Sequence, residues 1–324
     1  MKNLVIAGPY NPAVKEILIN NFSDTYSLTF VIKQEELLKV PQAEYLILRT
    51  LRVGRPELDA MPNLRYIQRW GAGYDTIDIR AAGERGVTVA NFAGVNAPAV
   101  AEQALLLMLA VNRNLLIIDK SLRRGEWIKV SIEKTSYMLA GKRVGVIGAG
   151  SIGKILGGFV RALGGHVQYY DIRRLPSRLE EEQGFTYADL ETLFRTSDVI
   201  SLHVPLSDST RYMINKDSIA LMKRNVVIVN TSRGGIINEA DLYQALVDGR
   251  VAGAGLDCFE TEPVTPGSMP FAGLDNVVLS CHIGGNTADI VLMIAEKIPD
   301  LVNAFDKGEL DTKYIVNEQY LPSK

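Results

Sequence analysis

Three closely spaced glycines constrain the fold of this 324-residue chain more than any other feature of its sequence. They are Gly148, Gly150 and Gly153. An apolar stretch, Val144–Ile147, precedes them, and an amphipathic stretch, Lys154–Leu163, follows them. This is the pattern of a buried strand that turns tightly into a helix. The first glycine permits the tight turn, the second lets another group approach the backbone, and the third lets helix and strand pack closely.

An aspartate after the next apolar run indicates what this turn binds. Asp171 follows the run His166–Tyr170, roughly 20 residues beyond the first glycine, the spacing of a ribose-binding carboxylate. The helix N-terminus offers N–H groups to a pyrophosphate. The aspartate accepts hydrogen bonds from the ribose hydroxyls and repels a 2′-phosphate. We therefore predict a dinucleotide site that takes NAD. Two alternatives stay open: a methyltransferase has a similar turn, and Arg173 and Arg174 could bind a 2′-phosphate.

Short apolar runs alternate with amphipathic stretches along the rest of the chain, which is typical of parallel α/β sheets. The strands predicted in the first ninety residues are Leu4–Ala7, Leu28–Val31, Tyr45–Leu48, Tyr66–Gln68 and Val87–Ala90. Six more are predicted further on, at Arg143–Ile147, His166–Tyr170, Val199–Ser201, Val226–Asn230, Val251–Leu256 and Val277–Ser280. Helical spacing covers Ala13–Asn21, Glu35–Lys39, Ile77–Arg85, Pro98–Asn114 and Thr287–Lys307. The two series of strands predict two α/β domains.

Composition argues against several classes of protein. The chain is 47% hydrophobic and 22% charged, with a formal net charge of −2 and no basic patch, so we do not expect nucleic-acid binding. The longest apolar segment, Ala104–Ile118, contains an arginine and is shorter than the roughly 20 residues that a membrane span needs. Cys258 and Cys281 have neither disulfide nor metal-ligand spacing. We expect a soluble, cytoplasmic protein without a metal or a membrane partner.

Three further segments carry a family resemblance. They are Val229-Asn-Thr-Ser-Arg233-Gly-Gly, Gly255-Leu-Asp-Cys-Phe-Glu-Thr-Glu262-Pro and Ser280-Cys-His282-Ile-Gly-Gly-Asn. With the glycine turn, with Leu202-His-Val-Pro-Leu and with Gly71-Ala-Gly73-Tyr-Asp, they resemble the D-isomer-specific 2-hydroxyacid dehydrogenases, in order and over nearly the whole chain. The resemblance implies hydride transfer between NAD(H) and the α-carbon of a small 2-hydroxy or 2-keto acid. Candidate substrates include 3-phosphoglycerate and other anionic acids.

The resemblance also implies three catalytic residues. Arg233 matches the arginine that holds the substrate carboxylate and polarises its carbonyl, since a planar guanidinium binds a pair of oxygens and keeps its charge. His282 matches the acid/base, because a reference pKa of about 6.5 suits proton transfer in both directions. Glu262 matches the carboxylate that orients this histidine and favours its protonated form, with Glu260 as the alternative.

Binding residues are implied in the same way. Those for the cofactor are Gly148, Gly150, Ser151, Ile152, Gly153, Asp171, Val204, Pro205, Thr231, Asp257, Gly284 and Val100. Those for the substrate are Arg49, Arg69, Ala72, Gly73, Asn96 and Arg233. Arg49 and Arg69 either bind an anionic second group of the substrate or are merely solvated.

The implied architecture is a Rossmann-type, doubly wound NAD-binding domain, residues 98–287, inserted in a smaller flavodoxin-like α/β substrate domain, residues 1–97 and 288–324. The active site would lie in the cleft between them. The helix from Pro98 and a polar arm, Lys120–Tyr137, resemble dimerisation elements, so we expect a homodimer. The rival function is an NAD(H)-sensing scaffold of the corepressor type, which has the same fold.

The chain departs from the family pattern in two places. Cys281 stands where many members have proline, and we expect it to be a small buried side chain, with a reactive thiol as the alternative. Trp70 stands where many members have a small residue, and it either narrows the substrate pocket or packs between domains.

Overall fold

A computed structural model describes residues 1–322 of the chain. The chain divides into two compact units. The first unit combines Met1–Asn96 with Asn286–Lys324, and the second unit is Ala97–Gly285. Each unit contains its own parallel β-sheet, flanked by helices. The predicted α/β class is therefore confirmed.

The strands are β1 (Lys2–Ala7), β2 (Tyr26–Val31), β3 (Tyr45–Leu48), β4 (Tyr66–Arg69), β5 (Thr88–Ala90), β6 (Arg143–Ile147), β7 (His166–Tyr170), β8 (Phe185–Tyr187), β9 (Val199–Leu202), β10 (Val226–Asn230), β11 (Val251–Leu256) and β12 (Val277–Leu279). The helices are α1 (Pro12–Phe22), α2 (Arg55–Ala60), α3 (Ile79–Glu84), α4 (Ala97–Asn112), α5 (Leu115–Arg123), α6 (Ser151–Ala162), α7 (Ser177–Gln183), α8 (Leu190–Thr196), α9 (Lys216–Leu221), α10 (Glu239–Val247) and α11 (Ala288–Lys307). Short 3₁₀ segments lie at Gln34–Lys39, Gly234–Ile236, Thr312–Tyr314 and Glu318–Tyr320.

The sheet of the first unit has the order β2-β1-β3-β4-β5, which is the flavodoxin-like order. All five predicted strands are present, although β1 and β2 begin two residues earlier than predicted. The sequence analysis missed α2. A helix of six residues spans less than two turns, so its apolar positions repeat too few times to show helical spacing.

The end of the chain covers the edge strand β5. The N–H of Val316 donates to the carbonyl of Val89 at 2.9 Å. The side chain of Asn317, which is fully buried, accepts from the N–H of Val89 at 2.9 Å and donates to the carbonyl of Val87 at 2.9 Å. These contacts pair backbone groups that an open sheet edge would expose.

The sheet of the second unit has the order β12-β11-β10-β9-β6-β7-β8. Counted from β6, this is the Rossmann order with one added strand, so the predicted doubly wound fold is confirmed. The prediction of six strands is wrong, because β8 is a seventh. This edge strand has three residues and follows Gly184, whose φ of 60° ends α7. Three residues are too few for strand alternation to show in a sequence.

The long helix predicted over Pro98–Asn114 is confirmed as α4. It ends at Asn112, the left-handed φ of 51° at Asn114 turns the chain, and α5 follows, so the predicted polar arm begins inside a helix. Within residues 1–322, no single helix is long and apolar enough to cross a membrane, and α4 and α5 pass that test only as a pair bent by 62°. The cytoplasmic location stays a prediction.

Candidate active site

The register of the second sheet brings the predicted site segments to one edge. The last residues of five neighbouring strands pair with one another in a row, namely Leu279, Leu256, Asn230, Leu202 and Ile147. The segments that follow these residues therefore all leave the sheet at its carboxyl edge. Open α/β sheets bind their ligands in the crevice outside this edge.

The glycine turn after β6 has the close approaches that its sequence predicts. A side chain at Gly148, whose φ is 98°, would place Cβ 2.5 Å from the carbonyl oxygen of His203. A Cβ at Gly153 would lie 2.1 Å from the carbonyl oxygen of Gly148, whereas one at Gly150 would meet no atom within 4 Å. Gly150 also caps α6 without a side-chain hydrogen bond. The backbone of this turn is therefore open to a phosphate group.

Asp171 lies against this turn. Its Oδ2 accepts from the N–H of Ala149 at 2.8 Å, and its Oδ1 accepts from the N–H of Arg173 at 3.0 Å. Arg174 turns to a different partner, because its Nε and Nη2 each donate to the carboxylate of Glu180 at 2.9 Å. Of the two arginines that the sequence offered to a 2′-phosphate, one is held by a carboxylate.

Two buried polar atoms lie just beyond the ends of β9 and β10. The hydroxyl of Thr231 has no partner among the described residues, and neither has Nδ1 of His203. The Nε2 of His203 lies 2.8 Å from the hydroxyl of Ser201, and burial lowers the pKa of this histidine to about 4, so it is neutral at pH 7. The open glycine turn, Asp171 and the unpaired Thr231 hydroxyl together fit a bound dinucleotide.

A buried carboxylate holds the loop that follows β12. Asp257, which is 1% exposed, accepts from the hydroxyl of Ser280 at 2.6 Å and from the N–H groups of Ile283 and Gly284 at 3.0 and 2.8 Å. Its carbonyl accepts from the N–H of His282 at 2.7 Å. The contacts of Asp257 and Gly284 with the cofactor stay predictions, but the hydrogen bonds of Asp257 with Ser280, Ile283 and Gly284 hold the loop on both sides of the histidine.

His282 and Glu262 form a direct pair. Nδ1 of the histidine lies 2.7 Å from Oε2 of the glutamate, whose Oε1 accepts from the N–H of Phe259 at 2.9 Å. The hydrogen bond with Glu262, reinforced by the glutamate's charge, raises the pKa of His282 against the opposing effects of burial and of Arg233. Burial alone would raise the pKa of Glu262, but its hydrogen bonds with His282 and Phe259 outweigh burial and lower it. The pair therefore favours an imidazolium beside a carboxylate.

His282 also has an unusual backbone conformation. Its φ of 55° lies in the left-handed region, which a residue with a side chain adopts only when its surroundings hold it there. The bonds of its own N–H and of the following two N–H groups to Asp257 supply that constraint. The imidazole is 45% exposed, so it can meet a ligand.

Glu260, the alternative partner of the histidine, faces other residues. Its Oε1 accepts from the N–H of Glu239 at 2.8 Å, and its Oε2 accepts from the hydroxyl of Tyr212 at 3.1 Å. Glu239 in turn accepts from the N–H of Glu260 at 2.6 Å. Of the two candidate glutamates, Glu262 contacts the histidine, and Glu260 ties its turn to the start of α10.

Arg233 leaves the sheet two residues beyond Thr231 on a loop that Asn230 organises. The buried Asn230 side chain accepts from the N–H and the hydroxyl of Ser232 at 3.0 and 2.7 Å and donates to the carbonyl of Arg233 at 2.8 Å. The positive charge of Arg233 lowers the pKa of both Glu262 and His282, although it is not the largest influence on either. The three predicted catalytic side chains therefore act on one another electrostatically within the second unit.

The two predicted substrate arginines of the first unit hold its loops. Arg69 donates from Nε to the carbonyl of Gly73 at 2.6 Å and from Nη1 to the carbonyl of Leu48 at 3.1 Å. Arg49 donates to the carbonyl of Pro9 at 2.7 Å and to Oδ1 of Asn286 at 3.0 Å. Neither is merely solvated. Their contacts with a substrate stay predictions, as do those of Ala72, Gly73 and Asn96.

Trp70 belongs to an aromatic cluster of the first unit. Its ring meets that of Tyr10 edge-on at 4.9 Å between centroids. The guanidinium of Arg49 lies 5.7 Å from the centroid of Trp70 and 5.5 Å from that of Tyr10. Trp70 is 7% exposed, so its indole is almost entirely packed against neighbouring residues.

One expectation about the histidine loop is wrong. Cys281, two residues beyond the end of β12, is exposed and not buried, whereas Cys258 is the buried cysteine. Within residues 1–322, no cluster of three or more histidine, cysteine, aspartate or glutamate side chains could hold a metal ion.

The sequence analysis missed several supporting residues. Asn230 had a local signal, because an asparagine at a strand end commonly forms hydrogen bonds with the following turn. Ser280 and Gln103, whose amide donates to the Ser280 hydroxyl at 3.0 Å, had none. Their roles depend on contacts between segments that are far apart in sequence.

Comparisons with known proteins identify the family of this chain. A family model described as D-isomer specific 2-hydroxyacid dehydrogenase, NAD binding domain, matches residues 105–284. Hydroxypyruvate reductase of Thermotoga maritima is 42% identical, over 82% of this chain and 88% of that protein. Glyoxylate reductase of Thermococcus litoralis is 40% identical, over 89% of this chain and 87% of that protein.

A solved structure of D-lactate dehydrogenase from Aquifex aeolicus, in complex with NAD and lactic acid, matches with a TM-score of 0.87. The two chains are 28% identical, and the match covers 99% of this chain and 100% of that one. The predicted cofactor, NAD, is confirmed, and a nucleotide-sensing scaffold is not favoured. The chain belongs to the D-isomer-specific 2-hydroxyacid dehydrogenases, NAD-dependent oxidoreductases of small 2-hydroxy and 2-keto acids.

Proposed function

We propose that the protein reduces a short 2-keto acid to the D-2-hydroxy acid with NADH, and catalyses the reverse oxidation. The observation that carries this proposal is the 2.7 Å pair of His282 and Glu262, with the charge of Arg233 acting on both. A proton donor and a fixed cation are the two groups that carbonyl reduction needs, because negative charge develops on the oxygen. The relatives named hydroxypyruvate reductase and glyoxylate reductase support a short substrate.

The second unit is the NAD-binding domain in this proposal, and the first unit is the substrate domain. The family model for the NAD-binding domain falls entirely within the second unit, which supports that half of the assignment. The N–H groups of Ser151 and Ile152 at the start of α6 would hold the pyrophosphate. Asp171 would hold the adenosine ribose, and Val204, Pro205, Thr231 and Val100 would complete the site.

The chemistry divides among three side chains. When bound, NADH supplies a hydride to the carbonyl carbon of the substrate. Arg233 binds the substrate carboxylate and polarises the carbonyl oxygen, which gains negative charge as its C=O double bond becomes single. The imidazolium of His282 gives its proton to that oxygen, and Glu262 stabilises the imidazolium and fixes the ring. In the oxidation direction, neutral His282 takes the proton from the hydroxyl.

In this proposal, the two arginines of the first unit favour a substrate without a second anionic group. Arg49 and Arg69 already donate to carbonyl and amide oxygens of their own loops, and moving either to a second anionic group would break those bonds. A 2-keto acid without a second anionic group requires no such loss. Glyoxylate and hydroxypyruvate fit this description, whereas a phosphorylated acid fits less well.

A homodimer is also part of the proposal. The segment after α5 exposes large apolar side chains, with Trp127 80%, Val130 76% and Met138 69% exposed. An apolar surface of this kind is typical of an interface between subunits. Light scattering should show a dimer for the wild-type protein and a monomer for Trp127→Asp/Met138→Asp. Ile32→Asp, at an exposed apolar position of the first unit, is the control that should stay dimeric. A monomeric wild type would contradict the proposal.

The experiment that tests the proposed reaction is an NADH-oxidation assay. Glyoxylate, hydroxypyruvate, pyruvate and a phosphorylated 2-keto acid would each be offered with NADH and with NADPH, and the products would be resolved by chiral chromatography. We expect the highest kcat/KM with NADH and a short acid, and a D product from every substrate that yields a chiral one. Tight NADH binding without turnover of any of these acids would contradict the proposal and favour a sensing scaffold.

A further inference from the structure

Glu180 and two tyrosines hold Arg174 in place close in sequence to the predicted ribose-binding Asp171. This arginine follows Asp171 by three residues. Its guanidinium forms a two-point hydrogen bond with Glu180. Its Cζ also lies 5.1 Å from the centroid of the Tyr187 ring. A two-point guanidinium–carboxylate pair is stronger and more directional than an ordinary surface ion pair.

Glu180 is a fixed partner and not a mobile surface residue. Its side chain is 11% exposed, whereas that of Arg174 is 61% exposed. The hydroxyl of Tyr169 donates to Oε1 of Glu180 at 2.6 Å, and the same hydroxyl accepts from the N–H of Leu175 at 2.8 Å. The hydrogen bonds from Arg174 and then from Tyr169 lower the pKa of Glu180 to about 2, so the carboxylate is charged at every physiological pH. The glutamate therefore anchors the arginine from inside the fold.

We propose that Glu180 is a specificity-determining residue that excludes NADPH by holding Arg174 away from the position of a 2′-phosphate. The inference rests on the proposed preference for NADH and assigns part of that preference to a residue outside the ribose site. Dinucleotide sites that accept the 2′-phosphate use an arginine near the end of the second strand, and Arg174 occupies such a place here. Asp171 repels the phosphate, and Glu180 withholds Arg174, one of the two cations that could offset this repulsion.

The variant Glu180→Gln tests the proposal with little change of shape. The amide keeps an oxygen for Tyr169 but loses the charge and one acceptor, so Arg174 is released. A matched control lies on the same helix. Glu182 forms an exposed pair with Arg178 at 2.6 Å, and Glu182→Gln removes the same charge without freeing Arg174. The readout is the dissociation constant of NADH and of NADPH, measured by nucleotide fluorescence without substrate.

We expect Glu180→Gln to bind NADPH about tenfold more tightly than the wild type does, which is the size of one charge-assisted hydrogen bond. The affinity for NADH should stay the same, and Glu182→Gln should match the wild type for both nucleotides. In Arg174→Ala/Glu180→Gln the gain should disappear, because no guanidinium is left to release. A gain that persists in this double variant, or that also occurs in Glu182→Gln, would overturn the proposal in favour of a general charge effect.

The single variant Arg174→Ala tests the proposal even if Glu180→Gln does not fold. Because the wild-type arginine is withheld, Arg174→Ala alone should leave NADPH affinity unchanged, and a selective loss of NADPH affinity would overturn the proposal. The wild type separates this failure from that of the proposed function. If it binds NADPH more tightly than NADH, the proposed NADH preference fails. If it prefers NADH while Glu180→Gln gains nothing, only the role of Glu180 fails.

Discussion

Both sheets place arginines at the carboxyl ends of parallel strands, yet the arginines have different neighbours. In the first unit, Arg49 and Arg69 donate to carbonyl and amide oxygens of the loops around them. In the second unit, the loop of Arg233 is organised by Asn230, and the arginine's charge acts on His282 and Glu262. Burial raises the pKa of the Tyr10 hydroxyl in the first unit, and the charges of Arg49 and Arg69 oppose this without reversing it, so the phenol stays protonated.

This difference separates a structural role from a chemical one. A guanidinium that is bonded to carbonyl oxygens stabilises a loop, and the phenol near Arg49 and Arg69 stays protonated despite their charges. The charge of Arg233 lowers the pKa of both the imidazole and the carboxylate, although the hydrogen bond between His282 and Glu262 has the larger effect on each. The position of an arginine at a strand end therefore does not by itself predict catalysis, but a neighbouring histidine–carboxylate pair does.

The largest effect should come from removing the histidine. We expect His282→Ala to lower kcat for 2-keto acid reduction about 10²–10⁴-fold, because a positioned acid contributes on that scale. The dissociation constant of NADH, measured separately by fluorescence, should hardly change. Turnover near that of the wild type, with NADH still bound, would show that His282 is not the acid/base. The contrast between structural arginines in the first unit and a catalytic Arg233 in the second would then lose its support.

Truncating one arginine in each unit sharpens the comparison. We expect Arg233→Ala to lower kcat about 10²–10³-fold, the cost of losing a group that stabilises charge in the transition state, and to raise KM as well. Arg49→Ala should change kcat/KM for glyoxylate less than about tenfold, the size of one ordinary hydrogen bond. Steady-state kinetics with short acids measures both. Equal losses in the two variants would give the first-unit arginine a chemical role.

The same arginine variant, assayed with a phosphorylated 2-keto acid, tests whether Arg49 binds a second anionic group of the substrate. We expect Arg49→Ala to change KM for this acid no more than it changes KM for glyoxylate, because the guanidinium is bonded to its own loop. A selective rise in KM for the phosphorylated acid would restore the sequence-based prediction that Arg49 binds a second anionic group.

The smallest effect on catalysis should come from the covered edge of the first sheet. Asn317→Ala leaves buried backbone groups of the β5 segment without partners, so we expect the free energy of unfolding to fall by about 1–3 kcal/mol. Asn63→Ala, at an exposed asparagine with one bond to the Pro41 carbonyl, should be close to neutral. Denaturant unfolding measures both, and kcat should not change in either. A stable Asn317→Ala protein would show that the edge does not need this side chain.

The sequence predicted the parts of the molecule that local chemistry determines. The glycine turn, Asp171 and four of the five first-sheet strand ends follow from residues that are adjacent in the chain. Both sheet orders agree with the fold that the family resemblance implied. The pairing of His282 with Glu262 rather than with Glu260 also agrees with the motif.

The remaining features depend on contacts that a sequence does not display. The carboxylates of Glu239 and Glu260 each accept from the backbone N–H of the other residue, which joins a helix start to a distant turn. The sequestration of Arg174 depends on the direction of a side chain that a loop and a helix fix together. The strand β8 and the helix α2 were missed because each is too short to show a period. Cys281 was misjudged because burial depends on the course of a loop.

The pH dependence of 2-keto acid reduction, in the wild type and in Glu262→Gln, tests the central claim most directly. Reduction needs protonated His282, so kcat/KM should be high below the pKa of this residue and fall as the pH rises through it. Glu262 raises that pKa, so the wild-type rate should persist above the ordinary histidine value of about 6.5. In Glu262→Gln the fall should move to lower pH, and in the oxidation direction the rise should move with it. A pH profile that is the same in both proteins would contradict the assignment of His282 and Glu262 as the acid/base pair.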